Sequence, residues 1–178
     1  MDIGVISVRY ARALLKSALE QKLDEAVYQD MQTLSNSYID VPQLRLTICN
    51  PMMAKDKKRD LLLTACGANH SQLSEAFVNL VLGEDREDIL QFISNAYITL
   101  YRQHKNVIRA KLITANPASE DMVQKMKQMV ESRTKGSVEF ETETNPEIIG
   151  GFILEYDTYR MDASVKNKLN TILHTLKK

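Results

Sequence analysis

The residues best placed to do chemistry in this 178-residue chain are three histidines, two cysteines, one basic run and one glycine pair. A hydrolytic centre needs a nucleophile, a base and an orienting acid in one pocket. His70, His104 and His174 are scattered, and each falls near the end of an expected helix, so they read as surface or capping residues. Cys49 and Cys66 fall in separate expected helices, without CxxC spacing or a neighbouring histidine. That argues against a disulfide framework or zinc motif and predicts reduced, packed thiols. The run KDKKRD, Lys55 to Asp60, could hold phosphate, but acids interleave its bases and it opens a helix; a solvated helix face is expected. Gly150-Gly151 in NPEIIGGF lacks the GxGxxG or GxxxxGK[ST] spacing and precedes a strand, so it predicts a tight strand start. The expectation is a chain with no catalytic, cofactor-binding or metal-ligating residues, and no cofactor.

Composition points the same way. The chain is 44% hydrophobic and 26% charged, with 23 basic residues against 23 acidic ones. Through Lys105 the basic and acidic counts are 12 and 13, and after it 11 and 10, so neither part has the basic excess of a nucleic-acid binder. No apolar run approaches the ~20 residues that span a bilayer, and the N-terminus lacks a basic segment followed by an apolar one. A cytoplasmic protein without direct membrane insertion is expected.

The elements that must position these residues fall into two groups. From Ile3 to Tyr101 apolar residues recur at helical spacing, with breakers between the periodic segments. Six helices are expected: Val5 to Gln21, Leu23 to Ile39, a short one with Pro42 in its first turn, Ala54 to Cys66, one capped by Ser71 and ending before Gly83, and Arg86 to His104. Gly67 suits a left-handed cap after the fourth.

After Lys105 the period changes. Val107 to Thr114 alternates, with Ile108, Ala110, Leu112 and Thr114 on one face and Arg109 and Lys111 on the other. Ser119 caps a helix bearing Met122, Val123, Met126, Met129 and Val130; that spacing matches core packing better than an adaptable binding strip. Val138 to Thr144 puts Glu139, Glu141 and Glu143 on a solvated face, where they could oppose Arg109 and Lys111. Phe152 to Tyr156 and Tyr159 to Met161 suggest a hairpin, and Asp162 or Ser164 can cap a closing helix whose apolar face could cover the sheet. The expected class is α+β: a six-helix bundle over residues 1–105, then a two-layer α/β domain of order β-α-β-β-β-α over residues 106–178.

The first helix is apolar on more than one side, since Val5, Ile6 and Val8 add to Tyr10, Ala13 and Leu14. Such a helix either lies deep in a core or meets a partner helix in a groove. Both readings stand at this point.

Taken in order, several segments resemble the delta subunit family of bacterial F-type ATP synthases, whose mitochondrial counterpart is the oligomycin sensitivity-conferring protein. RYARALLKSALEQ (Arg9 to Gln21) resembles the family's RYAxAL opening, NPMMAKDKKRDLL (Asn50 to Leu62) its Pro-then-Lys segment, and AFVNLVLGEDRED (Ala76 to Asp88) its NFLxLLxxxxR helix. LITANP (Leu112 to Pro117), NPEIIGGFILEYD (Asn145 to Asp157) and MDASVKNKL (Met161 to Leu169) follow TAxPL, DPxLIGG and iDgSvrxxL. Ala118 replaces the usual Leu, Asn145 the usual Asp, Asp157 the hairpin Gly and Ala163 the Gly before Ser164, which puts the hairpin geometry in question.

The resemblance implies a non-catalytic stator subunit, peripheral at the cytoplasmic face of the cell inner membrane, tying the catalytic head to the peripheral stalk against the torque of rotation. It implies that residues 1–105 receive the N-terminal helix of an alpha subunit between the first and fifth helices, with Tyr10, Ala13, Leu14, Val78 and Leu80 helping to form the groove. It further implies that residues 106–178 hold the b subunits of the stalk, through a signature of Pro146, Ile149, Gly150, Gly151, Asp162 and Ser164. The competing function class is a ligand-binding regulator using an open sheet face.

Overall fold

The computed structural model describes residues 3–134, 136–156 and 158–176. Asp157, where the sequence departs from the hairpin glycine, lies outside them. The architecture is α+β and separates into two compact units, Met1–Gln103 and His104–Lys178. The helices of the first are α1 (Ile3–Gln21), α2 (Asp24–Asp40), α3 (Gln43–Ile48), α4 (Lys55–Cys66), α5 (Gln72–Gly83) and α6 (Leu90–Lys105), with a 3₁₀ turn at Glu87–Ile89.

These helices share one core, in which Met31, Leu34, Leu62, Val78, Val81, Leu90, Ile93 and Tyr97 are fully buried. On α1 the buried positions include Ser7, Ala11 and Ala18, small residues that let neighbouring helices approach closely. Tyr28 of α2 stacks on Tyr101 of α6 at 4.1 Å between ring centroids. Arg102 donates to the Tyr28 hydroxyl at 2.9 Å, and the Tyr97 hydroxyl donates to the Asp24 carbonyl. Burial holds the Tyr97 hydroxyl far above its ordinary pKa, so it remains a donor. Gly67 ends α4 at φ +108 and ψ 164, an extended backbone with positive φ rather than the expected left-handed helical one.

The second unit runs β1 (Val107–Thr114), α7 (Glu120–Thr134), β2 (Ser137–Thr144), a 3₁₀ turn at Pro146–Ile148, β3 (Phe152–Tyr156), β4 (Tyr159–Asp162) and α8 (Val165–Leu176). The sheet order is β2-β1-β3-β4. α7 returns the chain so that β2 lies parallel to β1, whereas β3 and β4 are antiparallel neighbours. Ala110, Leu112, Val138, Leu154 and Val130 form the core, with Val123 and Met126 of α7 packed partly against it.

The opposite face carries a charge ladder. Arg109 lies across from Glu139 and Lys111 from Glu141, yet the ion pairs run one step diagonally, Arg109 to Glu141 and Lys111 to Glu143. Arg160 and Glu155 extend it on the same face, across β3 and β4. Each hydrogen-bonded partner favours the charged form, so Glu141 is held below and Lys111 above its ordinary pKa.

Candidate partner-binding site

An open apolar groove of about 570 Å³ lies between α1 and α5. From α1 it takes Ile6, Arg9, Tyr10, Ala13, Leu14 and Ser17, and from α5 Leu73, Ala76, Phe77 and Leu80, with Arg86 from the segment after α5. Helical periodicity explains the set, because Ile6, Tyr10, Ala13 and Ser17 recur every three or four residues, and Ala76 and Phe77 each lie three or four residues from both Leu73 and Leu80. Tyr10 meets Phe77 edge to face at 6.5 Å, and the Arg86 guanidinium sits 5.7 Å from the centre of the Tyr10 ring. Leu80 is 53% exposed on this wall.

Polar contacts from other helices hold the α5 wall in place. The buried Asp30 carboxylate of α2 accepts from the Ser71 backbone N–H at 2.9 Å and from the Ser74 hydroxyl at 2.6 Å. Ser71 accepts from the Ser74 N–H, as the sequence led us to expect. A negative charge at a helix N-terminus also complements the helix dipole. At the other end of α5, Lys58 of α4 reaches Glu87 at 2.6 Å, with side chains 5% and 14% exposed. This corrects the reading of KDKKRD as a wholly solvated face, because Lys58 is buried and anchors the turn that follows Arg86.

Of the residues assigned to the groove from sequence, the structure brings Tyr10, Ala13, Leu14 and Leu80 together. It does not bring Val78, which is 0% exposed in the core. Two residues apart on a helix means about 200° of rotation, so Val78 and Leu80 cannot share a face. Ile6, Arg9, Ser17, Leu73, Ala76, Phe77 and Arg86 were missed; helical periodicity applied from Leu80 would have found Leu73, Ala76 and Phe77.

In the second unit the signature residues converge on one junction. Asn145 accepts from the Glu147 N–H at 2.9 Å, with Pro146 opening the 3₁₀ turn, and so fills the position of the family's usual Asp. Ile149 follows at φ 70, 62% exposed, a strained setting for a β-branched residue. Gly151 has φ +77, and a Cβ there would come within 2.4 Å of the Ala163 carbonyl oxygen. Ala163 donates to Phe152 and Val165 to Gly150, both at 2.9 Å, tying the start of β3 to the start of α8. Ser164 accepts from the Asn167 N–H, and Asp162 from the Ser164 N–H. Hydrogen bonds from Ser164 hold the Asp162 carboxyl below its ordinary range.

α8 itself departs from expectation. Val165, Leu169, Ile172 and Leu173 are all exposed, Ile172 by 54%, so this stripe does not cover the sheet. The thiols also differ from each other: Cys66 is buried but Cys49 is exposed, so only one is packed. His70 contacts the Gly67 carbonyl through Nδ1 at 3.0 Å, and His104 and His174 are exposed. Among the described residues no His, Cys, Asp or Glu group is arranged to hold a metal ion, and no helix is long and apolar enough to cross a membrane.

The chain is thus an α+β protein of two units, one with an open apolar groove and the other with an exposed apolar helix stripe. The ATP synthase delta (OSCP) subunit family matches residues 6–176. ATP synthase subunit delta of Phocaeicola vulgatus is 42% identical over 97% of this chain and 94% of its own length, and that of Parabacteroides distasonis 38% identical over 97% and 96%. The chain belongs to this family and is a structural component of the F-type ATP synthase. A chain in the structure of the Toxoplasma gondii mitochondrial ATP synthase hexamer shares the fold, with a TM-score of 0.66 at 20% identity over 97% of both chains.

Proposed function

We propose that this chain is the non-catalytic stator connector of its ATP synthase, peripheral at the cytoplasmic face of the inner membrane. The helical unit, residues 1–105, receives the N-terminal helix of an alpha subunit in the α1–α5 groove. The α/β unit, residues 106–178, holds the b subunits of the stalk. The observation that carries this reading is the groove: two helices present matched apolar ridges to solvent with Leu80 more than half exposed, the arrangement an amphipathic helix fills. The uncovered stripe of α8, flanked by Lys166 and Lys168, supports a second chain at the other unit.

Calorimetric titration with an alpha N-terminal peptide tests the first contact. Ala13→Asp or Leu80→Asp is expected to cost about 2 kcal/mol or more, because each places a carboxylate against the seated apolar face. Unchanged affinity in both variants would reject the groove assignment. For the second contact, Leu169→Asp with Ile172→Asp in the full chain is expected to lose the b subunits on copurification while retaining alpha. Retention of both subunits would exclude α8 from the stalk contact.

A further inference from the structure

The wall of the α1–α5 groove carries charge of one sign. Among the described residues its charged lining residues are Arg9, next to Tyr10 in sequence, and Arg86, whose guanidinium lies over the Tyr10 ring. A second, more open depression on α1 shares Arg9 and Ala13, and adds Arg12 and Lys16 beside Val5 and Val8. Among the described residues, four bases and no acid line the two surfaces around α1, in a chain whose charges balance. Nearby acids do not neutralise them within the lining: Glu20 and Glu75 fall outside both surfaces, and Lys55 engages Asp85 at 2.6 Å.

We propose that the groove selects an acidic amphipathic helix, whose apolar stripe seats on Tyr10, Leu14, Phe77 and Leu80 and whose flanking carboxylates meet Arg9 and Arg86. The proposal rests on the reading that a partner helix enters this groove, and adds the chemistry by which that helix is chosen. α5 has 12 residues and is therefore about 18 Å long, so the seated part of the occupant covers about three turns. Apolar contact alone would accept any amphipathic helix of that length. A basic rim rejects those with basic flanks and steers acidic ones to the site, contributing specificity and association rate more than affinity.

The test uses the full chain with three probes: two synthetic helices sharing one apolar stripe, flanked by Glu in one and Lys in the other, and the alpha N-terminal segment of the same organism. At low salt the Glu-flanked helix is expected to bind about tenfold more tightly. The gap should narrow at high salt, where exposed charges are screened. Arg9→Gln with Arg86→Gln should bring the two synthetic helices together. Arg9→Gln with Arg12→Gln, at exposed α1 positions that leave the Arg86–Tyr10 contact intact, should also reduce the preference. Equal affinity of both synthetic helices, with the alpha segment still competing for the groove, overturns charge selection and leaves the groove reading standing. Failure of all three probes to bind a folded chain overturns both.

Discussion

Lys58 and Glu87 form a 2.6 Å ion pair that is almost wholly buried, linking α4 to the turn after α5. Glu87 Oε2 is buried without a hydrogen-bond partner among the described residues, so Lys58 is the compensation for that carboxylate. Lys58→Ala would strand the charge and is expected to destabilise the helical unit by about 3–5 kcal/mol. Lys58→Met with Glu87→Leu should recover most of that loss. Urea unfolding of the single and double variants measures both, and a single variant as stable as the parent would contradict the assignment.

Gly151 tests the junction of β3 and α8. Gly151→Ala meets both a positive φ and the Ala163 carbonyl, and is expected to cost about 2 kcal/mol or more. Hydrogen exchange should show the loss in β3 and in the first turn of α8 while α1 to α5 keep their protection. Uniform loss across both units would mean that the junction is not a local clamp.

The two thiols should separate cleanly under a thiol reagent. Burial, reinforced by the Asp30 charge, pushes the Cys66 thiol up to about 12, so it stays protonated at neutral pH. Cys49 is exposed and should react at once, Cys66 only at the rate of unfolding. In Cys49→Ser the fast phase should vanish; its persistence would place Cys66 at the surface.

Asp162 gives a pH dependence with a definite sign. Its carboxyl is depressed from 3.8 by the Ser164 hydrogen bonds, so it binds protons less readily folded than unfolded. The stability it adds is fully present above 3.8 and fades as pH falls through the lower folded value. Asp162→Asn should therefore lose stability near neutrality and converge with the parent in acid. A difference constant with pH would sink the linkage.

Tyr38 offers a gain. Its hydroxyl is buried without a partner among the described residues, and burial drives its pKa far upward. Tyr38→Phe removes that uncompensated group and is expected to be neutral or to stabilise by about 1 kcal/mol in thermal unfolding. A loss of similar size would indicate that the hydroxyl is satisfied.

Much of the fold was legible because its signals are local. The alternation of Val107 to Thr114, the Ser71 cap and the Gly150-Gly151 strand start each follow from a few adjacent residues, and each stands where the sequence puts it. What escaped depends on distant partners. Lys58 reads as one more surface base until Glu87, 29 residues on, meets it, and Asp30 supports α5 from 41 and 44 residues away. The groove was half legible: α1 announced a two-sided apolar helix, but Val78 was assigned by its motif and not by its angular position. α8 shows the opposite limit, since its stripe is plain in the sequence while its exposure is visible only in the structure.

The pairing of Gly150 with Val165 and of Phe152 with Ala163 has a mechanical consequence. Besides the covalent path through β4, load applied to α8 reaches β3 through two peptide hydrogen bonds at one glycine-packed seam. A pull on the helix is thus felt by β3 directly, and through β3 by the central strand β1, with little slack to absorb a reversing torque.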